Sequence, residues 1–206
     1  RFEALSAEQR HRSLDRVERA LRPLVQAGDR VTFSTWGGDM GAEVLSQLGL
    51  AHVVLGEAAS KVSLPDDTRE AVRALRKQQV DLILFAGGDG TARDVFDVIG
   101  GQFPVLGIPA GVKMHSGVFA VSPEAAGELL LQLVRGGLVG LVSREVRDID
   151  EEAFRHDKVR SRFYGEMLVP GEGRYLQHTK VGGRESPELV ADDIADWLAE
   201  HMEAGR

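Results

Sequence analysis

Apolar residues near the start of the chain recur at Leu14, Val17, Leu21 and Leu24, a spacing of three and four that predicts a helix over residues 7–27. Ser6 is its expected cap and Pro23 a point where it kinks or ends. Val31–Trp36 then reads as a strand running into the turn Gly37-Gly38-Asp39-Met40-Gly41, followed by a short helical stretch to Gly49 and a second strand at Ala51–Leu55. A helix opens at Leu64-Pro65-Asp66-Asp67, with Ala71, Val72 and Leu75 on one face. It leads into Val80–Phe85, a near-continuous apolar run of the kind a parallel strand covered on both faces requires.

The rhythm repeats once more. A helix is expected from Thr91 to Ile99, a strand from Pro104 to Ile108, and a helix from Ser122-Pro123-Glu124 with Ala126, Leu129, Leu130 and Leu133 on one face, stopped by Gly136-Gly137. Alternation of this sort predicts an α/β fold, a parallel sheet with helices on both faces, over residues 1–137. From Leu138 the pattern changes to strands at Leu141–Val146, Ser161–Pro170 and Arg174–Val181, closing with a helix at Ser186–Met202 whose inner face carries Val190, Ile194, Trp197 and Leu198. Residues 138–206 are therefore expected to form a smaller, partial β-rich unit with a C-terminal helix.

Composition narrows the chemistry. The 206 residues include no Cys, which removes disulfides, thiolate metal sites and cysteine nucleophiles. The net charge of −7 argues against nucleic-acid partners and anionic membranes, and most of the excess acidity falls in the last helix. No apolar run reaches the ~20 residues a membrane span needs. A cytoplasmic protein is expected. The six His show no metal-ligand spacing, so no protein metal site is expected.

Three segments carry candidate chemistry. Gly87-Gly88-Asp89-Gly90-Thr91 directly follows the apolar strand and opens a helix, where ligands of open α/β sheets bind. Its glycines let the backbone approach a ligand closely, and the amides of the turn and helix start face an anion such as phosphate. Asp89 adds a carboxylate able to take a proton or hold Mg²⁺. The plainer reading is a tight turn whose glycines serve packing. The second segment follows Pro109-Ala110: Gly111, then Lys113, His115 and Ser116, expected at the same sheet edge as Asp89 if the strands are parallel. There Lys113 would meet a transferring phosphoryl group and His115 would orient an acceptor hydroxyl. The third is Gly37-Gly38-Asp39, with Asp39 placed to meet a ribose or metal.

The Gly87–Thr91 string resembles the signature of the NAD kinase and diacylglycerol kinase-like superfamily. The segment Gly107-Ile108-Pro109-Ala110-Gly111-Val112-Lys113-Met114-His115-Ser116-Gly117-Val118-Phe119-Ala120 and the Trp36–Gly41 turn look like the AcoX-type branch of ATP-NAD kinases. The resemblance covers roughly residues 30–181. It implies a nucleotide-binding α/β domain followed by a β-rich domain, ATP with Mg²⁺ as donor, and NAD as the acceptor whose hydroxyl is phosphorylated. Carried over, Asp89 is the base, with Gly87, Gly88, Gly90 and Thr91 as the phosphate cradle. Lipid kinases and a non-catalytic nucleotide sensor are the alternatives. The family's Asn-Glu pair for the dinucleotide has no counterpart, because the chain contains no Asn. The family's opening strand and its later Gly-rich segment are also missing, so the chain is read as incomplete. Homo-oligomerisation through the Trp197 helix face is open.

Overall fold

The structure, a computed structural model, describes residues 7–60, 62–111, 114–137, 139–149, 161–171 and 175–176. Helix α1 (Ala7–Leu21) ends where Pro23 removes a backbone donor, and a 3₁₀ segment, Arg22–Arg30, continues in its place. Ala20, Leu21 and Leu24 are buried there. Strand β1 (Phe33–Thr35) is followed by a 3₁₀ turn, Gly38–Met40, then α2 (Ala42–Gln47) and β2 (His52–Val54).

Helix α3 (Pro65–Lys77) begins as its sequence signals predict. Asp67 reaches back from the first turn, its two oxygens accepting from the Leu64 amide at 2.7 Å and the Ala59 amide at 3.1 Å. Strand β3 (Ile83–Gly87) starts three residues later than expected, because the chain leaves α3 through a turn at Gln78-Gln79, with Gln79 at a positive φ of 58°, and bends again at Asp81. Helix α4 (Asp89–Ile99) starts two residues earlier than expected and thereby takes in Asp89 and Gly90. Strand β4 (Val105–Pro109) is buried at all five positions, as its apolar run demands. In α5 (Pro123–Val134) the Ser122 hydroxyl accepts the Ala125 amide at 3.1 Å, the expected cap. Gly127 on α5 lets that helix approach α1 so closely that a Cβ would lie 2.5 Å from the Ala20 carbonyl oxygen.

Among the described residues the strands form three pairs. β1 pairs with β2 and β3 with β4, both parallel, while β5 (Leu141–Ile149) and β6 (Ser161–Pro170) are antiparallel. The expected parallel arrangement is thus present, as two separate pairs. The free edges of β1 and β3 border a cavity of about 600 Å³. Consecutive residues, Phe33 through Trp36 and Ile83 through Gly88, line it, so each strand presents its edge there as well as one face.

The β5–β6 hairpin packs against α4 and β4, and Val146, Met167, Val169 and Leu176 join the same hydrophobic cluster as Ile83, Val95 and Leu129. One hydrophobic cluster thus includes residues from both sides of position 137. The register shifts between Val146 and Arg147, whose partners are Gly165 and Phe163, so the extra residue is Tyr164 on β6. Of the expected third strand, Tyr175 and Leu176 are described, with Leu176 bridging antiparallel to Ala120; Arg174, residues 177–181 and the Ser186–Met202 helix lie outside the described residues.

Candidate functional site

The parallel register sets Gly87 opposite Pro109, so the two turns that follow leave the sheet side by side. They are tied at once: the amides of Ala110 and Gly111 both donate to the Gly87 carbonyl, at 3.0 and 3.1 Å. Each glycine in this contact has a steric reason. A Cβ on Gly111 would lie 2.7 Å from the Gly88 Cα, and one on Gly87 would run into the Thr91 side chain. Helix α4 is capped by Gly88 with no side-chain cap, so the amides of its first turn have no intrahelical partner and their dipoles favour an anion.

Asp89 does not fold back onto its own helix. Its carboxylate crosses to the next turn, where Oδ1 accepts the Ser116 amide at 3.0 Å and Oδ2 accepts the His115 amide at 2.8 Å. Oδ2 also faces His115 Nδ1 at 3.2 Å. The carboxylate is 8% exposed and the imidazole 23%. Ser116 is fully buried, and its hydroxyl accepts from the Arg147 amide at 2.9 Å while donating to the Arg147 carbonyl at 3.2 Å. The 115–116 turn is thereby clamped between α4 and β5, and the Gly117 amide adds a bond to the Glu145 carbonyl at 2.9 Å.

The candidate residues fall around one place. Gly87, Gly88, Thr91, Gly111 and Asp39 line the cavity, whereas Asp89, His115 and Ser116 stand in the clamp beside its glycine wall. Gly90 is exposed at the start of α4. Gly37 and Gly38 shape the turn that carries Asp39, Gly38 at a φ of +60°. Lys113 lies outside the described residues.

Two wall residues escaped the sequence reading. Arg16 is buried and lines the cavity from α1; it stands off the Leu14, Val17 and Leu21 stripe among other charged residues, so no pattern in the sequence marked it. Trp36 is the other, its ring resting on Gly56, where any Cβ would collide with it, and its Nε1 buried without a partner among the described residues. Within those residues no group of three or more His, Asp or Glu converges to hold a metal ion. No described helix is long and apolar enough to cross a membrane.

A glycine turn between a strand end and a helix N-terminus is a place where backbone amides can face an anion. A family model for the ATP-NAD kinase N-terminal domain matches residues 6–138. The chain belongs to this family. No curated protein and no solved structure matches it. The match takes in α1 to α5 and thus both turns of the clamp. Membership makes the protein a kinase of the NAD kinase-like type, acting on a small-molecule nucleotide substrate.

Proposed function

We propose that the protein transfers the γ-phosphoryl group of ATP to a hydroxyl of NAD. The observation that carries the reading is the clamp, in which Asp89, His115 and Ser116 are locked together at the strand edge beside a cavity walled by Gly87, Gly88, Thr91 and Gly111. Phosphoryl transfer asks a protein mainly for positioning and for stabilisation of developing charge. The unpartnered amides of the α4 N-terminus and the close glycine turns supply both for a polyphosphate. In this reading the Asp89–His115 pair handles the acceptor's proton, Lys113 meets the phosphoryl group, and Asp39 meets the ribose. Residues 138–206 supply the start of an acceptor-binding unit. Mg²⁺ would accompany the ATP phosphates, as this ion commonly does.

The test is transfer of label from γ-labelled ATP to NAD. Asp89→Asn should lower turnover by about 10²-fold or more while circular dichroism and the melting temperature show a folded protein. Full activity in that variant would end this assignment.

A further inference from the structure

We propose that Tyr164, the extra residue of β6, is a positioning residue for phosphoryl transfer: it holds α4 and the β5–β6 hairpin at one setting and so fixes the 115–116 turn against Asp89. The proposal rests on the kinase reading above and adds the part that keeps its clamp aligned.

The reasoning starts from parity. On β6 the buried positions are Gly165, Met167 and Val169, with Glu166 exposed between the first two. Alternation would carry Phe163 inward next and turn Tyr164 out to solvent. The ladder instead pairs Val146 with Gly165 and Arg147 with Phe163, which leaves Tyr164 unmatched. One additional residue reverses both side chains. Phe163 is 52% exposed, and Tyr164 lies against α4.

Two contacts of different kinds hold Tyr164 there. Its ring meets Phe96 edge-on, with centroids 5.7 Å apart at 78°, and its hydroxyl donates to Asp97 Oδ1 at 2.7 Å. The strand leaves room for Phe96, because the neighbouring residue is Gly165, where any Cβ would run into that ring. Asp97 is placed in turn by Arg69 of α3, 3.6 Å from its other oxygen.

The consequence follows from where this attachment sits. Arg147, at which the ladder resumes after the extra residue, is also the residue whose amide and carbonyl hold the Ser116 hydroxyl, and Ser116 gives its own amide to Asp89 at the start of α4. The helix therefore meets the hairpin twice: at Asp89 through Ser116 and Arg147, and at Phe96 and Asp97 through Tyr164. The two links stand about 12 Å apart along the helix axis. Together they close a circuit in which β5 cannot tilt on α4 without carrying His115 and Ser116 off Asp89. A misplacement of about 1 Å is enough to cost 10²-fold in a reaction that depends on positioning.

The experiment reads the far end of the circuit. Tyr164→Phe keeps the ring on Phe96 and removes only the hydroxyl. In this variant hydrogen exchange of the His115 and Ser116 amides, which donate to Asp89, should speed up about fivefold, while the amides of β3 and β4 exchange as in the wild type. With γ-labelled ATP and NAD its kcat should fall about 10-fold, and that of a protein with Tyr164 deleted about 10²-fold, both with KM for ATP unchanged. Tyr164→Phe should cost nothing further in an Asp97→Ala background, since both changes break one bond. Asp97→Asn, which keeps an oxygen for the hydroxyl, should retain most of the activity that Asp97→Ala loses. Wild-type exchange at residues 115 and 116, or wild-type kcat, in folded Tyr164→Phe makes Tyr164 a packing residue alone; either result overturns the proposal and leaves the kinase reading standing. Absence of transfer by the wild type to NAD, and to nucleoside and polyol acceptors tried in its place, removes the kinase reading and this role together, whatever the exchange rates.

Discussion

At Gly111 one hydrogen atom decides how near two loops can come. A methyl group there would sit 2.7 Å from the Gly88 Cα and 3.2 Å from its nitrogen, both backbone atoms that cannot swing aside. Gly111→Ala should therefore cost about 1–3 kcal/mol and pull the 115–116 turn away from Asp89, lowering transfer activity more than the stability loss alone explains. Gly90→Ala is the stability comparison, since a Cβ at Gly90 meets nothing within 4 Å and should leave the melting temperature unchanged or higher. Urea titration of both variants checks the pair. The glycine string and Asp89 were legible in the sequence because strand, turn and helix flank them in order. Their partners were not: Gly88 meets Gly111 and Asp89 meets His115 across more than twenty residues, and only the parallel register of β3 and β4 brings these together. Ser116 shows the same limit from the other side, its hydroxyl being committed to the backbone of Arg147, thirty-one residues on.

Between elements, a partly buried ion pair joins α3 to α4. Arg69 reaches Asp94 at 2.5 Å and also contacts Asp66 and Asp97. Burial raises the Asp94 carboxyl above its ordinary value, and the Arg69 charge offsets only part of that. The folded state therefore holds a proton on Asp94 more readily than the unfolded chain does. Asp94's contribution to stability is greatest below the ordinary carboxylate range and falls as pH rises through the raised value. Measured by urea unfolding at a series of pH values, wild type should gain on Asp94→Asn as the solution is acidified from pH 7 toward 4. A difference that stays flat, or moves the other way, would mean that the Arg69 charge dominates. Helices were the legible elements, since apolar spacing and caps such as Ser122 are local. Strand ends moved by two or three residues where a turn intervened, as at Gln79, because a positive φ at a non-glycine residue has no reliable sequence signal.

Over the whole molecule, the alternation of strands and helices fixed the α/β class, but not how the strands are grouped. Two parallel pairs stand on either side of a cavity of about 600 Å³, and the hairpin of β5 and β6 shares the core of the helices and strands before it. Neither property is local. Each depends on which edges meet after α1 and α3 have packed. Trp36 belongs to this scale, since its ring rests on Gly56, twenty residues on, and its Nε1, without a partner among the described residues, is buried in a residue that lines the cavity. The chain has two Trp, the other being Trp197. In a Trp197→Phe background the remaining indole becomes a built-in optical probe of whether the cavity is filled. Saturating Mg²⁺ and a non-hydrolysable ATP analogue should quench its emission and move the maximum, with an amplitude that titrates to one nucleotide per chain. An emission spectrum indifferent to saturating nucleotide would place binding away from this wall, so the colour of one indole reports where in the fold the nucleotide sits.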